Sequence, residues 1–405
     1  MQCRISHVRK LKAFIELIKN SSKQLTFEYN FIDMNLSFWE LETYFRNVDF
    51  TIIGSGIVGL STAYHLRLKY PNAKILILEK GMLPEGASTK NAGFACFGTL
   101  SEILWYLESN PEDEIYQLVE RRWKGLQKLR SLLGDEAIDF HQWGGYEIFR
   151  NQDKEMMERS LDKLEEINQW LFPVFNANPY QKSHQNFGFA HTIGMIETPF
   201  EGQIHTGKMM KAFMRLAQSE NISILNNIEV SNISDLQLNV ELELNNKFNF
   251  KSKKAFLCTN AFTRQLYDLD VVPARAQVLV TKPIENLPFK GCFHMDEGFY
   301  FFRNIGNRIL FGGGRNLDIE GETTTEFGLT DQIQNQLEAY LREIILPNQS
   351  VEIEHRWSGI MGMGAQRNPI VKQLSENVYC GVRLTGTGLA IGSFVGEELA
   401  KLLSD

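Results

Sequence analysis

Gly54-x-Gly56-x-x-Gly59 stands between a short apolar run, Phe50, Ile52 and Ile53, and a helix-compatible segment that continues to Lys69. A chain turns that sharply from strand into helix where side chains are missing, so these glycines fix a strand-turn-helix unit before anything else is known. Gly54 permits the tight turn, Gly56 lets the backbone approach a diphosphate, and Gly59 lets the helix lie against the strand. The helix start offers unpaired N–H groups and the positive end of its dipole to phosphate. Ile75–Leu78 reads as a second strand with Glu79 at its carboxyl end. An acid about 20 residues beyond the glycines suits a ribose with a free 2′-hydroxyl and repels a 2′-phosphate. Strand, turn, helix, strand and acid in one register point to a dinucleotide site.

The remaining totals narrow the partners. With 405 residues there is room for two domains and a large core. A net charge of −7 argues against nucleic acid as a main partner, and no apolar run is long enough to span a membrane. Cys3, Cys96, Cys258, Cys292 and Cys380 are odd in number, widely spaced and without a CxxC, and the histidines form no HxxxH or HxH pair. A disulfide framework and a metal site therefore have no support, and a reducing cytoplasm is the expected home.

Residues 1–47 read as an N-terminal extension. Met1–Asn20 is basic and amphipathic, residues 1–33 fit poorly with the rest of the chain, and Met34 is an alternative start. Ser37 is placed to cap a short helix through Phe45.

Beyond Glu79, Lys80 leads into a loop of small residues. Gly86, Ala87, Ser88, Ala92 and Gly93 allow close backbone approach, and Ser88, Thr89 and Asn91 supply hydrogen bonds. A nicotinamide enzyme needs no such segment; a flavin enzyme does, under the pyrophosphate and the ring. Helical spacing covers 112–133 and about 152–171, with a strand at Tyr146–Phe149 between them. Gly202–Lys208 opens a helix to Glu220. A strand at Ile222–Leu225 and a return through Val230 come next, and Ala255–Ala261 is a buried strand ending in small polar residues. From Val271 to Trp357 the pattern alternates: a strand at Ala274–Thr281, a hairpin about Asn304–Asn307, a helix over 330–346 and a final strand. Gly386-Thr387-Gly388-Leu389 then feeds another helix, whose start can stabilise negative charge. The domain assignment is 48–110, 200–265 and 358–405 for the nucleotide, and 111–199 with 266–357 for the substrate.

Taken together, Ile52–Glu79, Gly86–Phe94, Gly202–Lys208, Leu257–Ala261 and Gly381–Gly396 resemble the D-amino-acid oxidase (DAO-type) FAD-dependent oxidoreductases. That family includes glycine oxidase, sarcosine oxidase and gamma-glutamylputrescine oxidoreductases. The resemblance implies an α/β chain: a glutathione-reductase-like Rossmann FAD domain with a second, antiparallel-sheet substrate domain. It implies oxidation of an amine or amino acid by hydride transfer to flavin N5, hydrolysis of the imine, and reoxidation by oxygen or another acceptor. By position, Gly54, Gly56, Gly59, Glu79, Lys80, Ser88, Asn91, Ala92, Gly93, Val230, Gly386, Thr387, Gly388 and Leu389 are expected to contact FAD. The cysteine that attaches flavin in sarcosine-oxidase-like relatives is missing, so FAD is expected to be non-covalent. The carboxylate-binding arginine of several relatives is also missing, with Met361 near its place.

For the substrate, Tyr300 and Arg303 are the leading candidates, with Arg275, Arg315 and Arg383 behind them. Alternation puts Tyr300 and Phe302 on one strand face and Phe299 and Phe301 on the other, so one face is core. His205 is expected to cap a helix or to pack near the cofactor. An NAD-dependent dehydrogenase and a flavin-binding protein without turnover are the competing readings. No motif names the substrate, the acceptor or the oligomeric state.

Overall fold

The computed structural model describes residues 35–403; the expectation about residues 1–33 lies outside them. The chain enters on Ser37, which forms a reciprocal capping box with Glu40 at the start of helix Phe38–Glu40, continued as a π-turn over Leu41–Phe45. Phe45 buries its ring against Phe248 and Phe250 and closes one face of the first sheet.

That sheet runs Ile370–Gln373, Val378–Val382, Phe248–Leu257, Val48–Ile53, Ile75–Leu78, Ser223–Leu225. Every neighbouring pair is parallel except the first. The strands are apolar on both faces, as a sheet covered on both sides requires: Ile75, Leu76, Ile77 and Leu78 are all buried. The hairpin Val230–Asp235 and Val240–Leu244 extends from the lower half of Phe248–Leu257. The opening strand lies between Ile75–Leu78 on one side and Phe248–Leu257 on the other, so connections leave it in opposite directions. A crevice forms at the carboxyl ends of strands at such a reversal.

Helices Ile57–Lys69, Thr206–Ser219 and Gly388–Lys401 share one core with the sheet. Helix Glu112–Leu133 joins it too. A Cβ on Gly125 would come 2.3 Å from the Ala390 carbonyl, and Ser393 Oγ donates to the Gly125 carbonyl at 2.7 Å. The first helix of the 111–199 segment therefore packs on the nucleotide side, where the sequence reading placed it with the substrate domain.

The second sheet runs Ile353–Met363, Val272–Thr281, Arg308–Gly313, Tyr300–Ile305, Cys292–Met295, Gly145–Arg150, Thr192–Thr198, Gln181–Lys182. It is antiparallel except between Cys292–Met295 and Gly145–Arg150. Strand Ile353–Met363 pairs along its length with Val272–Thr281, so residues 358–363 belong to this sheet and not to the nucleotide side. The hairpin is tighter than the four-residue turn expected: Asn304 and Ile305 extend the strand, leaving Gly306-Asn307, with Gly306 at φ 57°.

Candidate active site

A cavity of about 670 Å³ opens at the carboxyl ends of the first sheet and runs on beneath the second, a size typical of ligand sites. Its nucleotide half is built by backbone. Gly54 has φ 100°, and a Cβ there would stand 2.9 Å from the Cys258 carbonyl. Gly56 caps helix Ile57–Lys69 without a side chain, and Ile57 N–H donates to Ser88 Oγ at 3.0 Å. Gly59 does not line the cavity. Its Cβ would come 2.0 Å from the Gly54 carbonyl, so it serves the helix–strand contact that shapes the turn.

Glu79 is buried at the cavity wall. One carboxylate oxygen accepts from Ser55 N–H at 3.0 Å and Ser55 Oγ at 2.6 Å, the other from Gly81 N–H at 3.1 Å. Lys80 pairs with exposed Glu229 at 2.7 Å, and Val230 lines the wall beside them. Asn91 shapes the small-residue loop: its Oδ1 accepts from Gly93 N–H and Thr206 Oγ1, each at 2.9 Å, and its Nδ2 donates to the Ser88 carbonyl at 2.8 Å. Ala92 and Gly93 line the cavity next to it.

The far glycine turn is held in left-handed backbone. Arg383, Thr385 and Gly386 have φ 64°, 47° and 85°. Asn260 Oδ1 accepts from Arg383 N–H at 3.0 Å, and Thr385 N–H donates to the Gly362 carbonyl at 3.0 Å. Strain of this kind persists where surrounding bonds over-determine it, and it concentrates at ligand sites. Gly386, Thr387, Gly388 and Leu389 present the first turn of helix Gly388–Lys401 to the cavity. Two helix starts, a buried acid and glycines without room for a Cβ fit a flavin dinucleotide extended between them.

The other half is built by side chains. Trp105, Tyr106, Phe299, Phe301, Phe327, Ile360, Met361 and Met363 line it, with Glu102, His294, Glu297, Arg315 and Arg367 as its polar groups. The Arg367 guanidinium lies 4.7 Å from the ring centres of both Trp105 and Tyr106. Burial and the neighbouring Arg367 cation hold Arg315 below its ordinary pKa. Neither arginine is ion-paired with a described acid.

Tyr300 and Arg303 are not in this wall. Tyr300 is 1% exposed and packs on Tyr340, 5.0 Å between ring centres. The strand's alternation is as expected, but the face of Tyr300 and Phe302 is the core and the face of Phe299 and Phe301 is the site. Arg303 is buried behind the small-residue loop and donates to the Ala92 and Ile204 carbonyls and to Gln203 Oε1. Of the other arginines, Arg275 is bound by Glu322 at 2.9 and 2.7 Å and Arg383 by Asp270. Of the arginines singled out from the sequence, Arg315 alone reaches the cavity. His205 accepts from Lys208 N–H at 3.2 Å and caps its helix.

Sequence reasoning missed Arg367, His294 and the aromatic pair Trp105 and Tyr106. Arg367 carried a signal: it comes after Met361 in the same segment, on the loop after the tryptophan strand, where the arginine of several relatives was sought and not found. His294 carried none, since its partner Glu201 is remote in sequence.

Two sheets meeting over such a cavity define a two-domain flavoprotein of oxidoreductase type. Residues 49–402 match the FAD dependent oxidoreductase (DAO) family, and the chain belongs to it. FAD is its cofactor. A probable oxidoreductase OrdL of Haemophilus influenzae is 20% identical over 381 residues, covering 89% of this chain and 84% of that protein. Glycine oxidase of Geobacillus kaustophilus superposes with a TM-score of 0.71 at 16% identity, covering 88% of this chain and 95% of the other. L-Proline dehydrogenase of P. horikoshii gives 0.67 at 16% identity, covering 88% and 93%. Among the described residues no helix is long and apolar enough to cross a membrane.

Proposed function

We propose that this chain oxidises the CH–NH bond of a small amino acid whose carboxylate is held by Arg315 and Arg367. The observation that carries the reading is that pair of cations in an aromatic cavity, neither of them in an ion pair with a described acid although Glu102 and Glu297 share the lining. Guanidinium groups bind carboxylates through paired, charge-assisted hydrogen bonds. Glycine oxidase and L-proline dehydrogenase, two proteins of this fold, are named for amino acids, which agrees with it.

Bound FAD supplies a hydride acceptor at N5. The protein supplies the rest. Gly54, Gly56, Ser88, Ala92 and Gly93 would hold the pyrophosphate side, Glu79 the ribose, and Gly386–Leu389 the ring edge, where the helix start would stabilise negative charge. Trp105, Phe299, Phe301, Phe327 and Met361 exclude water and fix the carbon beside nitrogen against the ring. Cys96 is the one described cysteine at this end of the cavity. Burial pushes its thiol well above the ordinary range, so it stays a poor nucleophile, which supports non-covalent binding. The imine product hydrolyses, and oxygen or another acceptor takes up the electrons. The described cysteines are free, which suits a reducing cytoplasm.

Anaerobic bleaching of the flavin tests this, with amino acids, N-methyl amino acids, the corresponding decarboxylated amines and 2-hydroxy acids. Amino acids are expected to bleach it, and Arg315→Met or Arg367→Met to weaken their binding about 10- to 100-fold, the worth of a charge-assisted bond. Equal reduction by decarboxylated amines, or reduction by 2-hydroxy acids alone, would overturn the reading.

A further inference from the structure

Glu201 is 1% exposed, and its Oε1 has no hydrogen-bond partner. Its Oε2 lies 3.1 Å from His294 Nε2. His294, on strand Cys292–Met295, is 7% exposed, meets the Phe94 ring edge-on and lines the cavity. A carboxylate only accepts, so the Nε2 that faces it carries the hydrogen. A neutral ring then keeps its lone pair on Nδ1. Nδ1 has no protein hydrogen-bond partner among the described residues. We propose that His294, oriented by Glu201, takes the proton of the bound substrate ammonium at Nδ1, a step that rests on the amino-acid reading above.

The step balances without a co-reactant. One N–H bond of the ammonium breaks and an Nδ1–H bond forms, so ammonium and neutral imidazole become free amine and imidazolium. No electrons move. The amine regains the lone pair that must form the C=N bond when the neighbouring C–H is broken. The imidazolium gains Glu201 as its counter-charge.

The surroundings agree. Burial lowers the proton affinity of His294, but the charge and hydrogen bond of Glu201, with the charges of Glu102 and Glu147, outweigh it and leave the pKa raised. Arg122, 3.6 Å from Glu102, tempers that carboxylate. Cys96, whose thiol sits with Glu201 and His294 in one cluster within 4.8 Å, stays protonated and adds no charge. A raised pKa means that the neutral, proton-accepting ring is the form above it. Amine capture is therefore lost as pH falls through it.

Two measurements on FAD-loaded protein decide this. The first labels histidines with 15N and identifies His294 by the signal lost in His294→Asn. The expected result is an Nε2–H tautomer with a pKa above the usual histidine value, lowered in Glu201→Gln. An Nδ1–H tautomer overturns the proposal. The second tracks flavin bleaching against pH with the amino acid that reduces the wild type fastest. In His294→Asn the acid limb should move up towards the amine's own pKa, with a loss near neutral pH of about 100-fold, the scale of a positioned base. In Glu201→Gln the limb should move to lower pH. An unchanged limb in His294→Asn overturns the proposal while leaving the amino-acid reading intact. A wild type that no amine bleaches overturns both, and the histidine spectrum then separates a wrong tautomer from a wrong substrate class.

Discussion

Arg303 is a buried cation with no carboxylate beside it. Burial brings its guanidinium down to about 10, and four acceptors solvate it: the carbonyls of Ala92, Ile204 and, at 3.4 Å, Asn304, and the side chain of Gln203. Ala92 lies in the small-residue loop that lines the cavity, and Gln203 and Ile204 lie in or beside the short strand that pairs with Phe94–Ala95. The side chain therefore ties the second sheet to the small-residue loop, the one proposed to lie under the flavin. Arg303→Met keeps the length and removes the donors. Each stranded acceptor costs about 1–3 kcal/mol, and relief of the cation's desolvation returns several kcal/mol. A net loss of about 2–4 kcal/mol remains. Trp357 Nε1 still donates to the Lys90 carbonyl at 2.9 Å, so the loop keeps a second tether. FAD affinity should then fall about 10-fold, equivalent to about 1.4 kcal/mol, and not vanish. Urea unfolding of the FAD-free protein and FAD titration measure the two effects. Bleaching per bound flavin, and the substrate concentration that half-saturates it, should hold within about twofold. If Arg303→Met binds FAD normally and loses substrate saturation instead, the guanidinium reaches the substrate and its role as a tether is wrong.

The same geometry sets other outcomes. Gly59→Ala drives a methyl to within 2.0 Å of the Gly54 carbonyl. It should yield colourless or insoluble protein, and a yellow, stable variant would show that the turn has slack. Burial raises the Glu147 carboxyl to about 7, against bonds from Ser101 that pull it down. Its folded pKa exceeds the unfolded one, so this group makes the fold less stable as pH rises from about 4.5 to 7. Glu147→Gln should gain on the wild type by up to about 3 kcal/mol between pH 5 and 8, read by denaturant unfolding at each pH. A pH-independent difference would contradict the raised carboxyl.

The nucleotide half of the site was legible because it is made of backbone. Gly54, Gly56, Gly386 and Gly388 are needed for what they lack, and each lies within a few residues of the strand and helix it joins. Local spacing therefore carries the information. Gly59 shows the limit: its spacing marked it correctly as a packing glycine, and only the family pattern put it in contact with FAD. Helix Glu112–Leu133 shows a second limit. Its apolar periodicity gave the helix, while its partner, the Ala390 backbone, was identified by nothing nearer than the last helix.

The substrate half was not legible, for a reason of a different kind. Alternation along Phe299–Phe302 divides the residues into two faces and says nothing about which one meets the flavin. Tyr300 was chosen for its hydroxyl, but the core side offers it Tyr340 and Phe311, while apolar Phe299 and Phe301 face the cavity. Polarity was a poor guide because a site that must exclude water is walled by rings, and its charge comes from a few side chains on remote segments. Arg315, Arg367 and His294 come from three different stretches, and the acid that orients His294 from a fourth. An arginine that looked available on its strand, Arg275, is already neutralised by Glu322, and one that the sequence reading passed over, Arg367, is in no ion pair with a described acid. What already holds an arginine separates a structural group from a binding one here: Glu322 holds Arg275, and backbone carbonyls with Gln203 hold Arg303. That is a property of the folded contact, absent from any local pattern.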